Sequence, residues 1–283
     1  MYENIKQRLA DNASKINDAL SSYYHSDSIQ NELLVRSQKY GLLDGGKRIR
    51  AFLTMEVCRL FNGNLQSARA FACAVEMIHA SSLIHDDLPC MDNDDMRRGK
   101  PSLHKAFGET AALLAGDALE IKAFSVIANN KSAPAEINLK AIEVLSACSG
   151  DEGMLAGQAI DTLSNNSVNT LNELINLHRL KTGRLICASA ILGCIASGID
   201  SSAPEYSALT TYSEKLGLAF QIIDDVLDFK DGKIEGNSFI RFMSSYEAMT
   251  EAYRLTDEAI FSIKGFDDGS LEELAKYLTA REY

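Results

Sequence analysis

Apolar residues recur at intervals of three and four along most of this chain, the spacing that gives a helix one buried face. Ile5, Leu9, Ile16 and Leu20 hold that spacing with polar residues between them. The same period predicts helices over residues 51–61, 68–88, 111–128, 141–163, 170–197, 207–229 and 246–263. Alternating patterns of the β type are scarce. Breaks are expected at Asp44-Gly45-Gly46, Asn62-Gly63-Asn64, Arg98-Gly99-Lys100-Pro101, Ala133-Pro134 and Asp231-Gly232. Several segments are apolar on more than one face, so they should lie centrally with others wrapped around them. The pattern predicts an all-α protein, an antiparallel bundle of about ten helices around a central cavity.

A chain of 283 residues could hold two domains, but no Gly/Ser-rich or charge-block tract interrupts it, and it has only four prolines. We expect a single domain over residues 1–283. Hydrophobic residues make up 46% and charged residues 24%, enough for a sizeable core. The net charge of −11 repels phosphate backbones and argues against a nucleic-acid partner. The first twelve residues alternate charged and apolar positions and hold no signal-peptide core. The longest apolar stretch, 185–197, is too short and too rich in Ala, Ser and Gly to span a bilayer. Cysteines 58, 73, 90, 148, 187 and 194 show no CxxC pairing and read as free thiols in a reducing compartment, which places the protein in the cytoplasm.

The strongest chemical signal comes after the apolar run that ends near Leu83. Asp86, Asp87, Asp92, Asp94 and Asp95 crowd into ten positions, and Arg97 and Arg98 come next. One Asp-Asp pair is ordinarily a solvated loop. Here a long apolar helix ends in carboxylates that repel one another unless cations neutralise them. Hard oxygen ligands at this density suit Mg²⁺, which shares its shell between carboxylates, waters and substrate phosphates. Asp224, Asp225 and Asp228 repeat the arrangement at the end of another apolar helix. Asp224 and Asp228, four apart, point off one face. Two such clusters could face each other across a cavity and hold metal ions.

Positive groups complete the picture. In Gly45-Gly46-Lys47-Arg48-Ile49-Arg50 a flexible turn precedes a helix, and Lys47 and Arg50 share a face near its positive end. Arg97 and Arg98 point about 100° apart in helical geometry and could grip two different anions. Lys181-Thr182-Gly183 opens a stretch that is otherwise apolar. His79 lies two turns before Asp86 on the same face. Gln158, Asp161 and Gln221 read as helix–helix hydrogen-bond partners. Together these residues outline two anions, a metal cluster and an apolar cavity.

In these residues the chain resembles the trans-isoprenyl diphosphate synthases, and within them the bacterial-type short-chain farnesyl and geranylgeranyl diphosphate synthases. The matching segments, in the family's order, are GGKRIR (45–50), EMIHASSLIHDDLPCMDNDDMRRGKPSLHKAFGE (76–109), LAGDAL (114–119), GQAID (157–161), KTGRLI (181–186) and FQIIDDVLD (220–228). The resemblance implies a prenyltransferase of isoprenoid biosynthesis that joins isopentenyl diphosphate head to tail to an allylic diphosphate. It also implies Mg²⁺ and a homodimer. Asp86, Asp92 and Asp224 would bind metal, with Asp87, Asp225 and Asp228 in support. Arg97 and Lys181 would hold the allylic diphosphate. Gly46, Lys47, Arg50, His79 and Arg98 would hold isopentenyl diphosphate, and Thr182 and Gln221 would line the reacting centre. No side chain has the makings of a strong base, and the resemblance makes the released pyrophosphate the proton acceptor.

One stretch departs from the family. After the second aspartate motif a lysine is expected to reach the allylic diphosphate; here its place falls near Gly236 or Asn237, in a shortened loop where Lys230 or Lys233 could substitute. A class I terpene cyclase would share the first motif, but its second motif would be spaced differently and it would need no isopentenyl site. A non-catalytic regulatory subunit would not need both aspartate motifs intact. Product length should depend on the helix leading into Asp86. Resembling farnesyl synthases commonly place an aromatic residue one turn or so before this aspartate, where this chain has Ser81 and Ser82. The floor is therefore expected one turn deeper, near Met77 and Ile78, favouring a C20 product over C15.

Overall fold

The computed structural model describes residues 2–24, 31–43, 45–163, 168–229 and 236–280. In chain order these form α1 (Glu3–Ser22), α2 (Glu32–Leu43), α3 (Ile49–Leu60), α4 (Leu65–Asp86), a small antiparallel hairpin β1 (Met96–Arg97) and β2 (Lys100–Pro101), α5 (Leu103–Phe107), α6 (Glu109–Ala128), α7 (Ala135–Ser149), α8 (Met154–Leu163) and α9 (Leu171–His178). A π-helical turn (Arg179–Gly183) leads straight into α10 (Arg184–Ala196). Then come α11 (Pro204–Asp228), a 3₁₀ turn (Phe239–Arg241), α12 (Ser245–Ile263) and α13 (Ser270–Thr279).

The helix starts are written in local chemistry. Asn64 accepts hydrogen bonds from the amides of Gln66 and Ser67 and so caps α4. Reciprocal capping boxes, Thr170 with Glu173 and Ser244 with Glu247, begin α9 and α12. Pro204 opens α11, where its missing N–H costs nothing.

The bundle is built around α10, in which every residue from Leu185 to Ala196 is buried. It packs against α3, α4, α7 and α11. Gly193 permits the close approach to α3, since a Cβ there would lie 2.7 Å from the Thr54 carbonyl oxygen. Thr54 Oγ1 in turn donates to the Ser189 carbonyl oxygen at 2.8 Å. α4 lies between α3 and α6, and α11 pairs with α12. α1, α2 and α13 close the outside.

The structure differs from the sequence reading at two expected helices. Residues 141–163 are interrupted: α7 ends at Ser149, and Gly153 folds in so closely that a Cβ there would lie 2.1 Å from the Cys148 carbonyl oxygen. Residues 170–197 are helical throughout but change from α to π and back. The expected break at Asp231-Gly232 lies outside the described residues. Among the described residues, no helix is long and apolar enough to cross a membrane.

Candidate active site

The first aspartate cluster sits where α4 ends. Asp86 is the last residue of that helix, and the chain folds back so that the Asp92 amide donates to the Asp86 carbonyl oxygen at 2.9 Å. The carboxylates stand at the negative end of the helix dipole, which adds to their mutual repulsion. Burial pushes the Asp86 carboxyl up to about 6, and the neighbouring Asp92 and Asp87 act in the same direction while Lys181 and Arg97 oppose them. Asp92 is also raised, by burial first, then by Asp94 and Asp161. Asp87 faces the other way. It is buried, and its Oδ1 receives Arg97 Nε at 2.9 Å and Arg97 Nη2 in an ion pair, so it holds the arginine. Arg97 Nη2 also reaches Asp94 at 3.1 Å. Both arginines belong to the β1–β2 hairpin region, so they leave it with directions set by the turn and not by a helix.

The second cluster ends α11. Asp224 and Asp225 are half-buried and Asp228 is exposed. Asp225 is committed to the protein: it accepts from Gln221 Nε2 at 2.9 Å and from the Phe239 amide at 2.8 Å. It therefore ties the chain after the motif to the end of α11. Among the described residues, no three acidic, histidine or cysteine side chains converge into a metal centre. The oxygen-only donors Asp86, Asp92 and Asp224 fit a hard divalent cation that completes its shell with waters and substrate phosphates.

The π turn carries the residues that face these acids. Gly157 lets α8 sit directly on it, since a Cβ there would lie 2.2 Å from the Lys181 amide nitrogen; on the other side Gly217 of α11 would bring a Cβ within 3.0 Å of Gly183 Cα. The extra residue of a π turn rotates the side chains beyond it about the helix axis, a common device at functional sites. It directs Lys181 Nζ to Asp161 Oδ2 of α8, 2.5 Å away. It also places Thr182 Oγ1 where it donates to Gln221 Oε1 at 3.1 Å. Asn237 Nδ2 donates to the other Asp161 oxygen at 2.8 Å. Burial alone would raise the Asp161 carboxyl; the charge and bond of Lys181 and the Asn237 bond outweigh it and hold the group below its usual range. Near Gly236 and Asn237, where the family lysine is expected, Asn237 holds Asp161. Lys230 and Lys233 lie outside the described residues.

Opposite the acids is a cationic cluster. Arg98 Nη1 donates to the Gly45 carbonyl oxygen at 3.2 Å, and Gly46, at φ +96°, leaves room for the guanidinium, which a Cβ would meet at 3.1 Å. Burial pulls Arg50 down to about 10, with Glu76 opposing and Arg98 adding to the shift, and Arg50 Nε is buried without a partner. His79 is pulled well below the usual imidazole range by burial, then by Arg50, Arg98, Arg48 and Arg97. These groups repel one another, and an anion placed among them would relieve that repulsion. Lys47 stands apart, exposed, with Nζ 5.2 Å over the Tyr277 ring. Arg48 is structural: it is buried, and Nη1 pairs with Glu76 Oε2 at 3.1 Å.

One cavity of about 380 Å³ joins these parts. Arg50, His79, Asp86, Lys181 and Thr182 line it, and Leu83, Leu88, Met91, Leu113, Met154 and Leu155 give it apolar walls. Ser82, Gln158 and Glu120 also line it. Met77 and Ile78 are not among its lining residues; they are 0% and 2% exposed and packed in the core. The contacts of Asp161 with Lys181 and Asn237, and the place of Glu120 in the cavity lining, are what a motif reading underrates. Glu120 leaves only a faint signal in the sequence, since it shares the largely apolar α6 with a second carboxylate three residues earlier, Asp117.

The sequence matches the Polyprenyl synthetase family model over residues 31–238. It is 38% identical over 294 residues to the farnesyl diphosphate synthase of Escherichia coli (strain K12), an alignment covering 97% of this chain and 98% of that protein. It is 40% identical over 263 residues to a chloroplastic geranylgeranyl pyrophosphate synthase of Catharanthus roseus, covering 87% of this chain and 73% of that protein. Among solved structures, the apo form of an FPP/GFPP synthase from Zymomonas mobilis superposes with a TM-score of 0.91 at 35% identity, covering 99% of this chain and 100% of that one.

Proposed function

The chain belongs to the polyprenyl synthetase family, and from that premise we propose that it is a short-chain prenyl diphosphate synthase, a prenyltransferase that condenses isopentenyl diphosphate with an allylic diphosphate. The observation that carries this reading is the single cavity bordered at once by Arg50 and His79, by Asp86 and Lys181, and by apolar walls. Anion-seeking groups, an aspartate of the first acidic cluster and a lining suited to hydrocarbon thus share one cavity.

In this reading the protein uses a divalent metal, Mg²⁺, held by Asp86, Asp92 and Asp224, which when bound neutralises the allylic diphosphate and so favours its departure. Lys181, fixed by Asp161, and Arg97, fixed by Asp87, position that diphosphate. Arg50, His79 and Arg98 hold the second diphosphate, with Lys47 free to swing in from Tyr277. Leu83, Met91, Leu113 and Met154 exclude water that would trap the allylic cation. The allylic C1–O bond breaks, the isopentenyl double bond attacks that carbon, and a proton leaves C2 of the new unit. His79, surrounded by guanidinium groups and shifted far toward its neutral form, is a poor acceptor for that proton. The departing diphosphate takes it.

A homodimer is part of the proposal, supported by the uncovered face of α6, where Leu114 is 50% and Ile121 72% exposed. A single catalytic domain over residues 1–283 is another part, supported by the way α10 contacts helices from both halves. The free cysteines support a cytoplasmic site of action. The test is Asp86→Ala and Asp224→Ala in the purified protein. Each removes a ligand without opening a core cavity, so each should fold normally and lose about 10²-fold or more in condensation rate. Near-wild-type rates in either variant would refute the paired-cluster arrangement.

A further inference from the structure

The wall that would receive the growing hydrocarbon is not wholly apolar. Glu120 of α6, half-buried, lines the cavity, as does Ser82 of α4. Behind it Ser81, 0% exposed, donates its hydroxyl to Glu120 Oε1 at 2.9 Å. Ser81 does not itself border the cavity; it anchors the side chain that does. A serine hydroxyl offers one donor, whereas a carboxylate has about four acceptor sites, so the rest of the head group depends on water. A hydrocarbon chain pressed against it would strip that water without supplying a hydrogen bond, which is unfavourable.

Resting on the prenyltransferase reading, we propose that Glu120, held by Ser81, is the floor of the elongation cavity and stops growth at C15. Helix geometry gives the register. Ser81 lies five residues before Asp86, about 7–8 Å down the axis of α4, and Ile78 and Met77 lie on the order of 5–6 Å deeper. That difference is close to the length of one isoprene unit. The small serine that would otherwise open space for a fourth unit is the residue that fixes a carboxylate in its path.

The experiment combines product analysis with binding. Wild type, Glu120→Gln and Glu120→Ala are incubated with isopentenyl diphosphate, Mg²⁺ and dimethylallyl, geranyl or farnesyl diphosphate, and the products are sized after dephosphorylation. Wild type should stop at C15. Glu120→Gln, which keeps bulk and an acceptor for Ser81, should still give mainly C15. Glu120→Ala should raise the C20:C15 ratio at least about tenfold, the change in rate ratio given by ~1.4 kcal/mol of altered barrier. Calorimetry with unreactive farnesyl and geranylgeranyl thiodiphosphates gives a readout independent of turnover. Wild type should favour the farnesyl analogue, and Glu120→Ala should lose or reverse that preference. A wild type that makes chiefly C20, or a Glu120→Ala variant with an unchanged product ratio and an unchanged analogue preference, overturns the assignment of Glu120 while leaving the prenyltransferase reading intact. A folded wild type that condenses none of these substrates overturns both.

Discussion

Removing the carboxylate of Glu76 should destabilise the protein strongly and weaken the isopentenyl side of the site. Glu76 on α4 accepts Arg48 Nη1 at 3.1 Å with one oxygen and the Ala51 amide at 3.1 Å with the other. The two side chains are 3% and 2% exposed. Arg48 stands in the left-handed region at φ +50° as the residue before α3, a conformation that costs a non-glycine residue about 1–3 kcal/mol and must be held by its surroundings. Its remaining partners, Asn17 Oδ1 and the Leu42 carbonyl oxygen, are neutral. Glu76→Ala would leave a buried guanidinium without its counter-charge, a loss of about 3–5 kcal/mol. Since proteins are typically stable by only about 5–15 kcal/mol, this is a large share of the total. It corresponds to a fall in Tm of roughly 10 °C, monitored by circular dichroism in the far-ultraviolet helix band. Arg50 lies two residues after Arg48, so the isopentenyl KM should rise in the same variant. Arg48→Met combined with Glu76→Leu replaces the pair by apolar groups and should recover part of the lost stability. A Tm within about 3 °C of wild type for Glu76→Ala, or a double variant as unstable as the sum of its parts, would refute this assignment of the pair.

Three further outcomes are expected from the geometry. Arg50→Ala and His79→Ala should raise the KM for isopentenyl diphosphate, and Lys181→Ala the KM for the allylic substrate, each by about tenfold or more; equal effects on both substrates in all three variants would contradict the two-site assignment. His178, buried and stacked on Phe239 at 5.3 Å, is pulled down to about 4, by burial first and then by Lys181, with Asp161 opposing. Its folded value lies below the unfolded one, so the unfolded chain takes up a proton first as pH falls. Stability should be full above about pH 6.5 and decline toward pH 4, by up to roughly 3 kcal/mol; His178→Phe should flatten that decline between about pH 7 and 5, and an unchanged slope would remove His178 as its source. Ile121→Glu, placed on the uncovered face of α6, should convert a dimer to monomer in light scattering coupled to size exclusion, whereas a dimer of unchanged mass would place the interface elsewhere.

The acidic ends of α4 and α11 are the most legible parts of this protein in its sequence, because apolar helical periodicity running into paired carboxylates leaves few alternatives. The cationic partners are legible as residue types but not in direction. Lys47 rests on Tyr277, Arg97 is bound by Asp87, and Asp225 serves the backbone of Phe239, all outcomes of tertiary packing that spacing does not encode. The π turn at Arg179–Gly183 is hidden for the same reason: α10 is buried on every side, so its periodicity is flat, and the turn depends on the close approach of Gly157 and Gly217 from distant helices. α2 escapes a periodicity reading because two of its three buried residues, Ser37 and Gln38, are polar. The lining of the cavity is harder to read, because Glu120, which borders it and accepts from Ser81 of α4, comes from a different helix, α6.

The condensation itself can be measured directly. Wild-type protein incubated with radiolabelled isopentenyl diphosphate, geranyl diphosphate and Mg²⁺ should release pyrophosphate in step with an acid-labile labelled prenyl diphosphate, and omission of either substrate or addition of a chelator should stop both. Pyrophosphate released from geranyl diphosphate alone, with no isopentenyl carbon in the product, would contradict the condensation mechanism and point to cyclisation or hydrolysis in the same cavity.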